Sequence, residues 1–481
     1  MKPIDEGHTV SFERLTRRNL LGMGLAFAAF FAVLIGLPAP FDGPAREMLA
    51  IVFFGILLWI TEAIPMGLTS IFVLVLMLLF HPVSMEVVYS GFSSSAVFLI
   101  IGGMMLARAV NDTRLARRVT YLILGKWGGT AKGLLASILL IPQIQTFFIP
   151  AGAVRTTLLL PVALNVLDTI GAKPNSPLRK MILLAVAFGS TVSGTAVMTA
   201  AIGNILMVDI VNRILHVKVT YFQWFIYALP LWLLLIPGIW FVLLNSFSLS
   251  AEERKFPHVK MEIESKLKDY GPLNRDEKKC CGILILIVLL WVTEPLHGLD
   301  PSIPALIGVL LMTLPGIGCS DGSQVFKVNF GTVLLLGTTL SMGYALTESG
   351  AAREIGEWIA VPWVLSLLQH PMLAVPFIVI VTQIVHLFVA NVATAVVALI
   401  PIYIGLAAEA GVDPLFLCIT AAITCLHGYI LAVETMPNVI VFDTGQVTQK
   451  DFFIPGLYAT LMMAVAIVIV ALTWWNWLGL I

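Results

Sequence analysis

Charged side chains are scarce in this sequence of 481 residues, in which Asp, Glu, Lys and Arg together make up 12%. A soluble domain typically carries about 25%. No charged residue occurs between positions 358 and 408, or from position 452 to position 481. A membrane-spanning helix needs about 20 apolar residues, so each of these stretches is long enough for at least one pass. We therefore predict an all-α polytopic membrane protein.

Several sequence motifs of enzymes and ATP-driven pumps are also missing. The chain contains no Gly-x4-Gly-Lys-Ser/Thr loop for nucleotide phosphates, and no His-Glu-x-x-His or Gly-x-Ser-x-Gly motif. Its five cysteines show no metal-ligand spacing, and its formal net charge is zero. We expect no enzymatic activity, no cofactor and no nucleic-acid partner. A membrane-embedded enzyme and a channel are kept as the weaker alternatives from other functional classes.

The sequence is duplicated. Residues 58–65 (Leu-Trp-Ile-Thr-Glu-Ala-Ile-Pro) return as residues 290–295 (Leu-Trp-Val-Thr-Glu-Pro), and residues 204–209 (Asn-Ile-Leu-Met-Val-Asp) return as residues 438–443 (Asn-Val-Ile-Val-Phe-Asp). The separation between matching residues stays close to 234 along both copies. In a membrane protein, a duplicated half indicates a transporter whose binding site lies where the halves meet.

Charge distribution divides the chain into four parts. We predict an N-terminal segment with a leading helix (1–40), a first repeat (45–248), a charged linker (249–280) and a second repeat (281–481). The linker holds eight basic residues, and Arg14, Arg17 and Arg18 precede the leading helix. Basic residues favour the cytoplasmic side, so we expect the N-terminus and the linker inside the cell and the C-terminus outside, in the cell membrane (most simply a bacterial inner membrane).

Each half contains two segments in which proline or glycine interrupts an apolar stretch among polar residues. The first pair covers residues 141–157 and 383–394, and the second covers residues 193–204 and 427–438. Such breaks free backbone groups that hydrocarbon cannot satisfy, and membranes tolerate them where they line a cavity or are buried in protein. Paired breaks at matching places are typical of helix ends that face a bound anion and its coupling ion.

These features resemble the divalent anion–sodium symporter family, which carries di- and tricarboxylates and, in some branches, sulfate. The resemblance rests on residues 59–65 (Trp-Ile-Thr-Glu-Ala-Ile-Pro), residues 102–118 (Gly-Gly through Leu-Ala-Arg-Arg) and residues 435–442 (Thr-Met-Pro-Asn-Val-Ile-Val-Phe). It implies an inverted repeat of two five-helix halves after a leading helix, with about 11 transmembrane helices and two re-entrant hairpins. It also implies a homodimer with lipid around it and an elevator-type mechanism.

The resemblance implies a substrate site as well. Family members use Ser-Asn-Thr at two hairpin tips, but here the first tip falls on Ala151, Gly152 and Ala153, and the second falls on Ala390-Asn391-Val392. Further substrate contacts are expected from the residues around these tips and from the later breaks: Arg155, Thr156, Thr195, Asn204, Asn391, Thr394, Thr435, Pro437 and Asn438. Backbone carbonyls near Gly152, Asn391 and Thr435 are candidates for a sodium ion, although the lost hydroxyls leave protons and counter-substrate open as driving forces.

Two isolated charges lie in these segments. Arg155 is the only charged residue between Lys132 and Asp168, and Glu434 is the only one between Asp413 and Asp443. A charge at membrane depth costs at least about 2.5 kcal/mol and marks a functional candidate. Arg155 can grip a carboxylate, replace a missing cation or extend to the interface. Glu434 can couple transport to protons, neutralise Arg155 or face water.

His386 and His427 complete the list of coupling candidates, each weighed against a packing role. The prediction is a secondary active transporter of small dianionic carboxylates, C4-dicarboxylate or citrate-like, coupled to sodium, protons or counter-substrate exchange. A carrier of sulfate, sulfonate or another anion with the same fold is the closest alternative.

Overall fold

A computed structural model describes residues 16–37, 41, 43–149, 151–389 and 391–481. Within these residues the regular structure is helical and contains no β-strand, which confirms the predicted all-α class. The leading helix is α1 (Arg17–Gly36), and the first repeat holds α2 (Gly43–Thr61), α3 (Met66–Phe80), α4 (Met85–Ser90), α5 (Ser95–Asp112), α6 (Leu115–Trp127), α7 (Ala131–Gln145), α8 (Gly152–Ile170), α9 (Pro177–Ser193), α10 (Ile202–Leu215) and α11 (Tyr221–Ser246).

The linker and the second repeat contain the remaining helices. These are α12 (Pro257–Asp269), α13 (Arg275–Val292), α14 (Glu294–His297), α15 (Ser302–Thr313), α16 (Gly322–Val325), α17 (Phe330–Glu348), α18 (Ala351–Ile359), α19 (Pro362–Leu368), α20 (Pro371–Phe388), α21 (Val392–Ala410), α22 (Pro414–Leu426), α23 (Met436–Phe442) and α24 (Gln449–Val470). A π-turn, Ala471–Trp475, continues α24.

Nine helical segments of the described chain are long and apolar enough to cross a membrane: Asn19–Gly36, Gly43–Thr61, Met85–Asp112, Gly152–Ile170, Tyr221–Ser246, Phe330–Glu348, Pro371–Phe388, Val392–Ala410 and Gln449–Trp475. Four shorter apolar helices accompany them, namely α3, α7, α15 and α22. The membrane class is thus supported by many spans, while the count of 11 crossing helices and two re-entrant hairpins stays a prediction.

Helix order repeats between the halves. Helices α2, α3, α5, α7, α8, α9, α10 and α11 are followed in the same sequence by α13, α15, α17, α20, α21, α22, α23 and α24. Packing is reciprocal: α5 packs on α15 while α3 packs on α17, and α8 packs on α23 while α10 packs on α21. Helices α11 and α24 pack on each other. If a pseudo-two-fold axis relates the two repeats, a contact between two helices is expected to recur between their two counterparts, as it does here.

The charged linker is partly helical and packs on the first repeat. Residues 257–269 form α12, which packs on α6, and α13 already begins at Arg275, six residues before the predicted start of the second repeat. Arg118 of α6 joins these elements, because its guanidinium pairs with buried Glu277 at 3.0 Å and donates to the carbonyl oxygen of Gly271 at 2.7 Å. The linker is therefore fastened to the first repeat.

Candidate functional site

Four helices begin where the sequence predicted breaks. They are α8, α10, α21 and α23. The stretch between α9 and α10, which contains a short 3-10 turn at Met198–Ala200, is called loop 1 (residues 194–201), and the stretch between α22 and α23 is called loop 2 (residues 427–435). A Cβ added to Gly152 would lie 3.6 Å from Cγ of Pro437, so the starts of α8 and α23 adjoin. A Cβ added to Gly203 would lie 2.7 Å from Cγ1 of Val392, so the starts of α10 and α21 adjoin. Helix N-termini carry partial positive charge and unpaired N–H groups, which favour an anion.

The first tip offers backbone groups only. Ala151 caps α8 without a side-chain hydrogen bond, and Ala151, Gly152 and Ala153 are all half-buried. The hydroxyl of Thr156 donates to the carbonyl oxygen of Gly152 at 2.9 Å. Thr156 therefore supports the helix start, and the backbone N–H groups of the tip remain the groups that can meet a ligand.

The second tip keeps one polar side chain, but the helix uses its oxygen. Oδ1 of Asn391 accepts from the backbone N–H of Ala393 at 2.9 Å and of Thr394 at 3.4 Å, which makes Asn391 the N-cap of α21. The hydroxyl of Thr394 is buried and has no partner among the described residues. Ala390, predicted as the first residue of this tip, lies outside the described residues.

Each loop is braced by the asparagine that follows it. The side-chain nitrogen of Asn204 and that of Asn438 each donate to two carbonyl oxygens of their own loop. Those carbonyls belong to Gly194 (2.8 Å) and Val197 (3.2 Å) for Asn204, and to Gly428 (3.1 Å) and Leu431 (3.0 Å) for Asn438. Both Oδ1 atoms are buried and unpartnered within the described chain. The predicted site asparagines thus shape the loops.

Arg155 is completely buried in α8. Its Nη1 donates to the carbonyl oxygen of Ile149 at 2.5 Å and its Nη2 donates to that of Ala200 in loop 1 at 3.0 Å, while Nε is buried without a partner in the described residues. Burial rules out the interpretation of a side chain extended to the membrane interface. The guanidinium instead connects the segment before the first tip to loop 1.

Glu434 is also buried, with 1% of its surface exposed. One oxygen, Oε2, accepts the backbone N–H groups of Ile430 at 2.8 Å and Leu431 at 2.9 Å, and Oε1 accepts from Nε2 of Gln383 at 3.2 Å. The predicted role as counter-ion of Arg155 is wrong for this conformation, because no ion pair joins the two among the described residues and each is engaged elsewhere. The interpretation of Glu434 as a carboxylate in water is wrong as well.

His386 lies beside this carboxylate. Its Nδ1 is 3.6 Å from Oε1 of Glu434, and neither ring nitrogen has a hydrogen-bond partner in the described part of the chain. His427 is placed differently: its Nε2 lies 2.9 Å from Oγ1 of Thr195, and its Nδ1 lies 2.8 Å from the hydroxyl of Tyr429. Both imidazoles are fully buried.

Several buried polar atoms near the helix starts lack a partner among the described residues. Sequence reasoning named Thr394, Thr435 and the two asparagines, but it missed the hydroxyls of Ser190 and Thr191, which lie near the end of α9. The carbonyl oxygen of Ser190 would be 3.5 Å from a Cβ on Gly152, which places this turn beside the first tip. Two adjacent hydroxyl residues in the otherwise apolar run of residues 181–192 were the signal available in the sequence.

Several known proteins are similar to most of this chain. A membrane protein of Cupriavidus necator is 25% identical over 479 residues, covering 95% of this chain and 93% of its own. Proteins named sodium-dependent dicarboxylate transporter SdcS are 25% identical in Staphylococcus saprophyticus (86% of this chain, 82% of theirs) and in Staphylococcus aureus strain USA300 (94% and 90%).

A solved structure shares the fold. The YdaH transporter of Alcanivorax borkumensis superposes with a TM-score of 0.55 at 12% identity, covering 91% of this chain and 99% of its own. The family described as the sodium:sulfate symporter transmembrane region matches residues 19–481. The predicted family resemblance is confirmed: this chain belongs to that family and is a transporter rather than an enzyme.

Proposed function

We propose that this protein is a secondary active transporter of small dianionic carboxylates, such as C4-dicarboxylates or citrate-like anions. The observation that carries the proposal is the pairing of four helix N-termini, α8 with α23 and α10 with α21, beside the buried Arg155, which joins the start of α8 to loop 1 just before α10. Partial positive charge at each helix start and one full positive charge suit a dianion better than a neutral solute. Relatives named as dicarboxylate transporters point to the same substrate class.

Substrate carboxylates are proposed to meet the backbone N–H groups of both tips. The unpartnered hydroxyls of Thr394 and Thr435 supply further donors, and Pro437 shapes the wall opposite Gly152. Loops 1 and 2 contribute through the backbone that Asn204 and Asn438 hold in place, while the hydroxyl of Thr195 in loop 1 bonds His427 in loop 2. Arg155 acts from behind the first tip, where its charge favours the anion.

Sodium is the coupling ion that the relatives' names indicate, and as such it travels with the substrate rather than staying bound as a cofactor. Hard cations need several oxygen ligands. Two carbonyl oxygens of the first half already accept from Arg155, so we place the sodium candidate in the second half, near Asn391 and Thr435, rather than near Gly152. Proton coupling through Glu434 or His386 remains an alternative.

Counter-substrate exchange is the second candidate mode. Arg155 supports it, because a fixed guanidinium that donates to carbonyl oxygens of Ile149, before the first tip, and of Ala200, in loop 1, supplies positive charge that cannot leave with the substrate. A transporter whose positive charge is a fixed arginine, rather than a co-transported ion, keeps that charge when its site is empty. Its empty site therefore crosses the membrane less readily than a site loaded with another anion.

We further propose an inverted repeat, an elevator-type movement and a lipid-embedded homodimer in the cell membrane. The reciprocal packing of α3, α5, α15 and α17, and that of α8, α10, α21 and α23, supports a two-fold relation between the halves. One of these two groups of helices is a candidate for the static scaffold, and the other is a candidate for the moving transport domain.

Flux into proteoliposomes tests the function and its alternatives together. Radiolabelled succinate, citrate and sulfate would be supplied with sodium, proton and counter-substrate gradients imposed one at a time. We expect saturable succinate or citrate uptake that one gradient accelerates. Preferential sulfate uptake would favour the other anion class, non-saturating flux would indicate a channel, and chemical change of the substrate would indicate an enzyme.

A further inference from the structure

Loops 1 and 2 lie far apart in the sequence, and each is held by its own asparagine. Asn204 holds loop 1 and Asn438 holds loop 2, each through two carbonyl oxygens of its own loop. Among the described residues, neither asparagine hydrogen-bonds the loop of the other half. If the two loops act on one substrate, a further contact must fix their relative position.

One side chain makes that contact. Among the side-chain hydrogen bonds of the described residues, the bond that joins loop 1 to loop 2 runs from His427 Nε2 to Thr195 Oγ1, over 2.9 Å. On its other side the imidazole bonds the hydroxyl of Tyr429 at 2.8 Å, with the two rings stacked at 5.7 Å. Both hydroxyls can donate or accept, so either neutral tautomer satisfies both ring nitrogens.

Both ends of this bridge are held by packing. The ring of Tyr429 meets that of Phe188 in α9 edge-on at 4.8 Å, and the indole of Trp224 in α11 donates to the carbonyl oxygen of Thr195 at 3.2 Å. All these residues are buried. A hydrogen-bonded chain in such surroundings has one geometry, because no water competes for its members.

We propose that His427 is a positioning residue, which holds loop 1 and loop 2 in register so that the two halves present one preformed anion site. This inference rests on the proposed function, and it replaces the coupling role predicted for His427 from sequence. It requires no contact between His427 and the substrate. Without the bridge, the substrate itself must order the loops when it binds, so affinity falls while the rate at saturation is largely kept.

The test compares KM and maximal rate for succinate uptake into proteoliposomes. Thr195→Val and Tyr429→Phe each remove one hydroxyl with little change of shape, and His427→Leu removes both bonds. Loss of one buried hydrogen bond corresponds to about a fivefold change. We expect KM to rise by about fivefold or more in each variant, with the maximal rate kept within about twofold.

Two further variants make the result specific. His427→Gln can still bond Thr195 through its amide, so its KM should lie between those of the wild type and His427→Leu. The pair Thr195→Val with His427→Leu should be no worse than His427→Leu alone, because both break the same bond. Thr420→Val, which removes a buried hydroxyl bonded only within α22, is the matched control and should leave KM unchanged.

Unchanged KM in Thr195→Val and Tyr429→Phe would overturn the proposal, and so would additive effects in the double variant, which would indicate that Thr195 contacts the substrate independently. Size-exclusion profiles identify any variant that fails to fold. If the wild-type protein carries sulfate and no dicarboxylate, the proposed substrate class is wrong, and the same KM comparison with sulfate still decides the role of His427.

Discussion

At the scale of single residues, the two isolated charges do different work. Arg155 donates to carbonyl oxygens of Ile149 and Ala200, which are 51 residues apart in sequence. Glu434 accepts backbone N–H groups within loop 2. Arg155 therefore joins the segment before the first tip to loop 1, while Glu434 holds loop 2 in its own conformation. Arg155 places a full positive charge beside the first tip, so it is the residue whose loss should reduce anion affinity most.

Arg155→Lys keeps the charge but cannot donate to two carbonyls in the same fork, and Arg155→Ala removes both charge and bonds. We expect succinate KM to rise about tenfold or more in Arg155→Lys, and uptake to fall further in Arg155→Ala, because a charged hydrogen bond contributes about 1.5–3 kcal/mol. The exposed Arg353→Ala serves as control. Unchanged affinity and rate in Arg155→Ala would remove Arg155 from the site.

At the scale of secondary-structure elements, each loop is held by a hydrogen-bond donor from the helix that follows it. Asn204 and Asn438 each place one amide nitrogen between two carbonyls, and the repeated Trp-x-Thr-Glu phrase does comparable work elsewhere. Its second glutamate, Glu294, accepts the backbone N–H of Tyr221 at 2.9 Å and pairs with Lys218 at 3.2 Å. The second copy of the phrase therefore fastens the start of α11.

Asn204→Asp and Asn438→Asp test this bracing with nearly unchanged shape. Each substitution replaces a donor with a carboxylate oxygen facing two carbonyl oxygens, so the loop loses both bonds and gains repulsion. We expect at least about a tenfold loss of uptake in each variant, with assembly in detergent retained. The exposed Asn245→Asp, in α11, is the comparison. Uptake at the wild-type level in either loop variant would contradict the bracing role.

At the scale of the whole molecule, the repeats bury their polar groups between them. Helices from one half pack on partners from the other, and Arg179 and Lys180 of α9 reach Gln446 and Asp451 across the repeat boundary. The linker is fastened to α6 through Arg118. Because the linker carries eight basic residues, its side of the membrane sets the orientation of both repeats.

Orientation can be measured by cysteine labelling in intact cells. In a background with Cys281 and Cys319 replaced by serine, Ser265→Cys introduces an exposed thiol on α12, and Asn476→Cys introduces one near the C-terminal end. We expect a membrane-impermeant maleimide to label Asn476→Cys in intact cells, and Ser265→Cys only after permeabilisation. The reverse pattern would overturn the predicted topology.

Sequence reasoning reached the class of protein, the family and the four breaks, because these depend on composition, short motifs and the placement of proline and glycine, while the division into two repeats stays a prediction. It also named Arg155, Glu434, Asn204 and Asn438 as site candidates. It could not assign their partners, and one of its three alternatives for Glu434, the pairing with Arg155, is wrong for this conformation. Most hydrogen-bond partners of these side chains are backbone groups. The direction in which those N–H and C=O groups point depends on the course of the chain at each helix break.

The amino-acid sequence by itself therefore determined that the chain is a helical membrane transporter, since apolar runs without charge have no stable place in water. Which polar groups meet was decided only by the tertiary structure. Thr195 and His427 are 232 residues apart and belong to different halves, yet they bond over 2.9 Å. Such a contact arises when the two repeats pack with their broken helices facing each other, and no local pattern in either repeat encodes the distance between them.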